Sequence, residues 1–252
     1  AASAGNHAQG VALSCAKLDI QAYIFMPKTT PLQKVEAVRF HGKEKVRIKL
    51  VGNTFDEAYK AAQVFCQETK AIFIPPFDDY DIIAGQATVT LEILDQLALP
   101  ADYLFLAIGG GGLAAGASLV LRELSPATKL IGVEPELAPS MSASLAAHEV
   151  ITLSEIDSFV DGASVKRVGS KNFDICEPAL NRMILVNKQE LCQTMLDLYE
   201  FYGMIVEPAG ALSVAALDQM RAEIKGKTVV CVISGGNFDT KRFSEISLLA
   251  KV

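Results

Sequence analysis

Short apolar runs alternate along the chain with longer stretches in which apolar residues recur at helical spacing. The runs are rich in branched and aromatic residues and apolar on both alternating faces, as strands of a helix-covered parallel sheet are. The predicted strands cover residues 22–26, 46–51, 71–74, 103–108, 130–133, 183–186 and 228–233. The predicted helices cover residues 9–17, 31–40, 54–69, 82–97, 112–124, 188–202 and 209–224. This alternation indicates an α/β protein with mainly parallel sheets.

Local signals refine this pattern at two points. Thr54, followed three residues later by Glu57, has the spacing of a capping box at a helix start. The proline pair Pro75-Pro76 and the polar residues after it end the third predicted strand and break the alternation. We therefore expect a small α/β domain over residues 1–74 and a larger α/β domain over residues 75–252.

Composition narrows the class of partner. The chain has 252 residues and a formal net charge of −6, which disfavours nucleic acid or an anionic membrane surface as its main partner. No apolar run approaches the ~18 residues of a membrane span, and no secretory signal pattern is visible. The five cysteines are scattered and odd in number, so we expect no disulfide framework or zinc site and a reducing, cytoplasmic location.

The most informative motif is a run of four glycines. The predicted strand 103–108 leads directly into Gly109, Gly110, Gly111 and Gly112, and a helix follows. Consecutive backbone N–H groups at a helix N-terminus can converge on one anion, which predicts a phosphate site. A tight turn that needs glycine for packing alone is the structural alternative. A dinucleotide-binding fold also stays open, with Glu134 as the acidic residue that would bind ribose.

The opening loop is a second candidate site. Ser3, Gly5, Asn6 and His7 place a hydroxyl, an amide and an imidazole next to flexible backbone, just before a predicted helix. Such a turn can receive a carboxylate through its N–H groups. An ordinary helix N-cap made by Ser3 or Asn6 explains the same residues equally well.

Ser234 is the third candidate. It follows the last predicted strand, and the carboxyl ends of buried parallel strands line the crevice in which α/β proteins bind ligands. A turn or helix cap made by the hydroxyl is the simpler explanation for an isolated serine.

Several motifs in a fixed order make the combination specific. The chain contains SAGNHAQG, PPFD, AGQ, GGGGLAAG, GVEP, DGASVKR, EPAGAL and SGGN in that order. This resembles the threonine ammonia-lyases (threonine dehydratases) among the fold-type II pyridoxal-phosphate enzymes, with their serine dehydratase and serine racemase relatives. The resemblance covers nearly the whole chain. It implies two three-layer α/β domains with mainly parallel sheets, similar to the tryptophan synthase β chain.

The resemblance also implies roles for the candidate residues, with pyridoxal 5'-phosphate as the cofactor. Ser234 would contact the ring nitrogen, and Asn6 the ring 3-hydroxyl. Gly162 and Glu207 would lie close to the cofactor. The substrate carboxylate would be received by Ser3, Gly5, Asn6 and His7. The cofactor phosphate would be held by Gly109, Gly110, Gly111, Gly112 and Leu113.

The implied reaction is the dehydration and deamination of L-threonine, and of L-serine, to 2-oxobutyrate or pyruvate plus ammonia, as in isoleucine biosynthesis. Serine racemase-type activity is an alternative. Ala4 stands where the racemases carry a second serine as a base, which favours dehydration. Glu134 is a candidate metal ligand, but Ser140 occupies the position of the acid that would accompany it, so we expect no metal site.

One expected residue is missing from the chain. The family's catalytic lysine, which links the cofactor as a Schiff base, lies in a segment before the asparagine loop, and this sequence contains no such segment. We therefore expect a fragment that is not catalytically competent by itself, and no catalytic residue is assigned. A lysine-less remnant that binds a phosphorylated ligand without turnover is the alternative from another class. The resemblance also implies a homo-oligomer, a dimer or a tetramer.

Overall fold

The computed structural model describes residues 1–250, and the chain divides into two compact units, Ala1–Pro76 and Phe77–Val252. Each unit contains a parallel sheet with helices packed on both faces. The predicted α/β class with parallel sheets is confirmed. The assignment of residues 1–74 and 75–252 to domains with separate roles stays a prediction.

The first unit is built around one parallel strand pair, with Ile24 opposite Ile48. Because successive side chains of a strand point to opposite faces, Ile24 and Met26 pack against α1 and α2 while Phe25 packs against α3. Its elements are α1 (Asn6–Lys17), β1 (Ala22–Met26), α2 (Leu32–Gly42), β2 (Val46–Leu50) and α3 (Phe55–Thr69).

Two local predictions in this unit have opposite outcomes. The capping box is confirmed, since the Glu57 N–H donates to Thr54 Oγ1 and the Thr54 N–H donates to the Glu57 carboxylate. The predicted strand 71–74 is wrong, because this segment pairs with no strand in the described residues and Ile72 is 84% exposed. An apolar run shows only the tendency to extend, whereas a strand also needs a neighbour that supplies hydrogen bonds.

The second unit contains a four-stranded, all-parallel sheet with the order β5-β4-β3-β6. Leu104 and Leu106 face a layer that includes α4, α5 and α7, and Phe105 faces a layer that includes α8, α9 and α11. The elements are α4 (Tyr80–Gln96), β3 (Tyr103–Ala107), α5 (Gly112–Leu124), β4 (Lys129–Pro135), α6 (Ser140–Ala147), α7 (Ser170–Cys176), β5 (Arg182–Val186), α8 (Lys188–Tyr202), α9 (Pro208–Ala215), α10 (Arg221–Ile224), β6 (Val229–Cys231) and α11 (Phe243–Leu249).

The sequence pattern missed three short helices, α6, α7 and α11, and joined α9 to α10, which a 3₁₀ turn at Asp218–Met220 separates. α6 and α7 are capped by carboxylates outside the usual N-cap position, which for α7 come from a residue 92 positions away. The Asp78 carboxylate accepts the N–H groups at the start of α7, and the Glu134 carboxylate accepts those of α6. A capping signal that lies far away in the sequence is invisible to a local pattern. Among residues 1–250, no helix combines the length and apolar character that crossing a membrane requires.

Candidate functional site

The four-glycine loop lies at the carboxyl end of β3 and leads into α5. Gly111 is the N-cap residue, with a φ of +94° that favours glycine, and no side chain in the described residues caps this helix. The N–H groups of the first helical turn, including that of Leu113, have no acceptor within the helix. The loop therefore presents backbone donors and the positive end of the helix dipole together.

Close contacts explain why glycine is needed here. A Cβ on Gly109 would lie 3.0 Å from the Ala163 Cα, and a Cβ on Gly110 would overlap the Phe77 ring. At Gly112 a Cβ would lie 3.3 Å from the Phe77 Cβ. Phe77 and Ala163 thus form walls against the glycine loop. The loop's own binding groups are backbone donors, which fits an oxyanion such as a phosphate monoester.

The remaining predicted residues of the second unit continue from the same wall. Gly162 precedes Ala163, and a Cβ on Gly162 would lie 3.5 Å from Glu207 Oε1. The Glu207 N–H donates to the Gly235 carbonyl oxygen at 3.1 Å, directly after Ser234. The structure therefore brings Gly109, Gly162, Glu207 and Ser234 into one connected region at the carboxyl ends of the strands.

The opening loop of the first unit forms a second group of donors. Ser3 Oγ accepts the Gly5 N–H at 3.2 Å, so the serine stabilises a short turn. Gly5 is the N-cap of α1 and supplies no side-chain cap, which leaves the N–H groups of Asn6 and His7 without an intrahelical acceptor. Neither Ser3 nor Asn6 is the N-cap residue. The geometry suits a carboxylate at this helix start.

The His7 side chain forms a hydrogen bond within the first unit, away from the start of α1. Its Nε2 lies 3.1 Å from the Ile74 carbonyl oxygen, and burial lowers the pKa of the imidazole. The neutral ring then donates from Nε2 to Ile74. What His7 offers to an anion is therefore its backbone N–H.

The buried state of His7 leads to a prediction about pH. The unfolded chain takes up this proton near pH 6.5, while folded His7 resists it, so stability is fully present above about pH 6.5 and decreases at lower pH. His7→Gln keeps a donor to Ile74 and removes the titration. Urea unfolding followed by circular dichroism between pH 7.5 and 5.5 should show a smaller loss of stability in the variant. Identical losses in the two proteins would contradict this assignment.

Glu134 is buried and serves as the cap of α6. Its carboxylate accepts the Met141 N–H at 2.6 Å and both the N–H and hydroxyl of Ser142 at 2.9 and 2.7 Å, and Ser140 Oγ lies 3.5 Å away. Burial raises the pKa of this carboxyl, against the effect of these donors. The carboxylate is thus occupied by protein donors, which explains Glu134 without a metal or a ribose.

Three residues that the sequence analysis assigned no role also shape the site. Phe77 packs on the glycine loop, and Asp78 caps α7. Asn172 Nδ2 donates hydrogen bonds to the carbonyl oxygens of Phe77 and Gly110. The PPFD motif was a signal for Phe77 and Asp78. Asn172 had no sequence signal, because its role depends on a contact with a residue 62 positions away.

Lys17, Lys28 and Lys166 all lie at exposed positions. The Lys166 ammonium donates to the Ser154 carbonyl oxygen at 2.7 Å, in an exposed position. None of these three side chains lies in a buried site.

Fold and site together define an α/β protein with a glycine-rich loop of backbone donors at the carboxyl end of a parallel strand. The family described as "Pyridoxal-phosphate dependent enzyme" matches residues 1–235. The chain belongs to this family, which confirms the resemblance noted in its motifs. The family match contradicts the dinucleotide-binding alternative. Glu134, the acidic residue that would have bound ribose, instead accepts the N–H groups at the start of α6.

Named relatives narrow the likeness further. The biosynthetic L-threonine dehydratase IlvA of Halalkalibacterium halodurans is 51% identical over 97% of this chain and 59% of its own length. The protein of the same name from Bacillus subtilis is 49% identical, over 97% of this chain and 58% of its own length. The chain thus spans less than two thirds of the length of these relatives.

Solved structures agree with this placement. The processed form of threonine deaminase isoform 2 from Solanum lycopersicum is 39% identical with a TM-score of 0.93, covering 99% of this chain and 68% of that one. Maize serine racemase is 28% identical with a TM-score of 0.89, covering 98% of this chain and 75% of that one.

Proposed function

We propose that the whole protein is a pyridoxal 5'-phosphate-dependent ammonia-lyase that converts L-threonine to 2-oxobutyrate and ammonia, and L-serine to pyruvate and ammonia. The observation that carries this proposal is the glycine loop at the end of β3, which presents backbone donors and against which Phe77 and Ala163 pack. The relatives named threonine dehydratase, which are 51% and 49% identical to this chain, support L-threonine as the substrate.

In this proposal the second unit holds the cofactor. Ser234, which is exposed, would donate its hydroxyl to the ring nitrogen, and Gly162 and Glu207 would lie close to the cofactor. When bound, the cofactor withdraws electrons from the substrate Cα. A hydroxyl at the ring nitrogen leaves that nitrogen unprotonated, which gives a milder electron sink than a carboxylate would and suits elimination more than transamination. The phosphate is held by the N–H groups of Gly109, Gly110, Gly111, Gly112 and Leu113.

The first unit is proposed to receive the substrate carboxylate. The N–H groups at the start of α1 provide donors and the positive end of a helix dipole, and the turn through Ser3 and Gly5 shapes the loop. The contact of Asn6 with the ring 3-hydroxyl stays a prediction from the family resemblance. Ala4 carries no group that can act as a base, so this loop favours elimination over racemisation.

The activity test uses the full-length protein. We expect 2-oxobutyrate from L-threonine and pyruvate from L-serine, each dependent on added pyridoxal 5'-phosphate. Sequencing the gene upstream of Ala1 should find the family's lysine segment in frame. If no oxo acid forms from either substrate, the ammonia-lyase proposal fails, and phosphate-ligand binding without turnover would then favour the non-catalytic remnant.

Replacement of Ser234 tests the ring-nitrogen contact. Ser234→Ala removes one donor to the cofactor, which should weaken cofactor retention by about fivefold, since a hydrogen bond of this kind is worth roughly 1 kcal/mol. Ser154→Ala, at another exposed serine, is the matched control and should retain the cofactor normally. Equal retention by both variants would remove Ser234 from the site.

We also propose a cytoplasmic location and a homo-oligomer, a dimer or a tetramer. All five cysteines are free thiols, which suits a reducing compartment, and burial raises the pKa of the Cys176 and Cys231 thiols to about 12. Large exposed apolar side chains such as Phe201 and Tyr202 are compatible with association between subunits. Sedimentation of the full-length protein measures the oligomeric state.

A further inference from the structure

Asn172 connects α7 to the glycine loop from a fully buried position. Its Nδ2 donates to the Gly110 carbonyl oxygen at 2.8 Å and to the Phe77 carbonyl oxygen at 3.2 Å. Both partners are acceptors, so the atom that faces them must be the amide nitrogen, which fixes the orientation of the side chain. The Gly110 carbonyl oxygen also accepts the Gly169 N–H at 3.0 Å.

The direction of the Gly110 carbonyl determines the direction of the next donor. In a planar trans peptide, the C=O and the following N–H point to opposite sides. With the Gly110 oxygen held toward α7, the Gly111 N–H points away from α7. Glycine on both sides gives this peptide plane little resistance of its own to rotation, so the two bonds to the oxygen hold it in place.

The oxygen of the Asn172 amide does not contribute to these contacts. Its Oδ1 is buried and has no hydrogen-bond partner among residues 1–250. A buried acceptor without a donor costs free energy, so a side chain chosen for stability alone would avoid it. The useful part of Asn172 is therefore its donor, which acts on the loop.

We propose that Asn172 is a positioning residue, which turns the Gly111 N–H toward the cofactor phosphate by holding the Gly110 carbonyl oxygen. This inference rests on the proposed role of the glycine loop as the phosphate site. Asn172 acts through Gly110 and touches neither substrate nor cofactor. Without it, only the Gly169 N–H holds the Gly110 carbonyl oxygen, so the Gly110–Gly111 peptide plane rotates more easily and can present a carbonyl oxygen, a repelling acceptor, to the anion.

The test compares a phosphorylated probe with its unphosphorylated form. Pyridoxine 5'-phosphate and pyridoxine both lack the aldehyde that reacts with lysines, so equilibrium dialysis with the full chain measures non-covalent binding alone. Asn172→Ala should weaken binding of pyridoxine 5'-phosphate by about tenfold, which corresponds to ~1.4 kcal/mol, and leave pyridoxine binding unchanged. Asn172→Asp, which places carboxylate oxygens against both carbonyl oxygens, should weaken binding of pyridoxine 5'-phosphate further. Ile175→Ala, at another position of α7 that packs against the core, is the matched control and should bind both probes normally.

The outcomes separate the two proposals. If the parent chain binds both probes equally, the glycine loop is not a phosphate site and the proposed function itself loses its support. If the parent prefers the phosphorylated probe and Asn172→Ala keeps that preference, the positioning role is overturned. A proportional loss of both probes with a lower melting temperature would show a purely structural role and would also overturn it. A changed ³¹P shift of bound pyridoxine 5'-phosphate in Asn172→Ala would support it.

Discussion

Gly110→Ala is expected to abolish preferential binding of pyridoxine 5'-phosphate over pyridoxine. The new Cβ would overlap the ring of Phe77, so the loop and the ring must move apart. Displacing the loop removes two or more charge-assisted hydrogen bonds to the phosphate, each worth roughly 1.5–3 kcal/mol. We therefore expect at least about hundredfold weaker binding, measured by equilibrium dialysis.

The control for this substitution is Gly85→Ala. Gly85 lies within α4, and a Cβ there meets no atom within 4 Å. This variant should bind the phosphorylated probe as the parent does. Gly110→Ala with parental affinity would show that the ligand's phosphate does not use this loop.

Gly116→Val is expected to lower the free energy of unfolding more than any of the other substitutions considered. Gly116 lies in α5, and a Cβ there would lie 2.6 Å from the Ala87 nitrogen and 2.8 Å from the Ile83 carbonyl oxygen, both backbone atoms of α4. Backbone cannot move aside as a flexible side chain does, so the two helices must separate. Overpacking of a core commonly costs 1–3 kcal/mol, and a helix displacement places this change at about 3 kcal/mol or more.

Urea unfolding followed by circular dichroism measures the effect, since the chain contains no tryptophan. Gly85→Ala again serves as the control, because α4, the partner helix, gains a better helix former in open space and should be stabilised by up to about 1 kcal/mol. A loss below about 0.5 kcal/mol for Gly116→Val would mean that the close approach of α4 and α5 is not required.

Much of the site was predictable because its signals are local. A run of four glycines between a strand and a helix predicts backbone donors without reference to any other part of the chain. Ser234 follows the last predicted strand, and parallel strands bring their carboxyl ends to one edge of a sheet. The capping box at Thr54 is complete within four residues, and it is present in the structure.

Contacts between distant residues were not predictable in this way. Asp78 caps a helix that begins at Ser170, and Asn172 bonds Gly110, so neither role has a local signature. Glu134 was a metal candidate by resemblance, and only its contacts with Met141 and Ser142 identify it as a helix cap. The segment 71–74 has the composition of a strand and no neighbouring strand in the described chain.

The sequence by itself determined the α/β class, the family and the loop that presents the glycine N–H groups, because each depends on residue type and spacing over a few turns. The tertiary structure decided which side chains surround that loop and which way its peptide planes point. Those properties depend on packing and on hydrogen bonds between residues far apart in the chain. A run of glycines permits many backbone conformations, and Phe77, Ala163 and Asn172 select one of them.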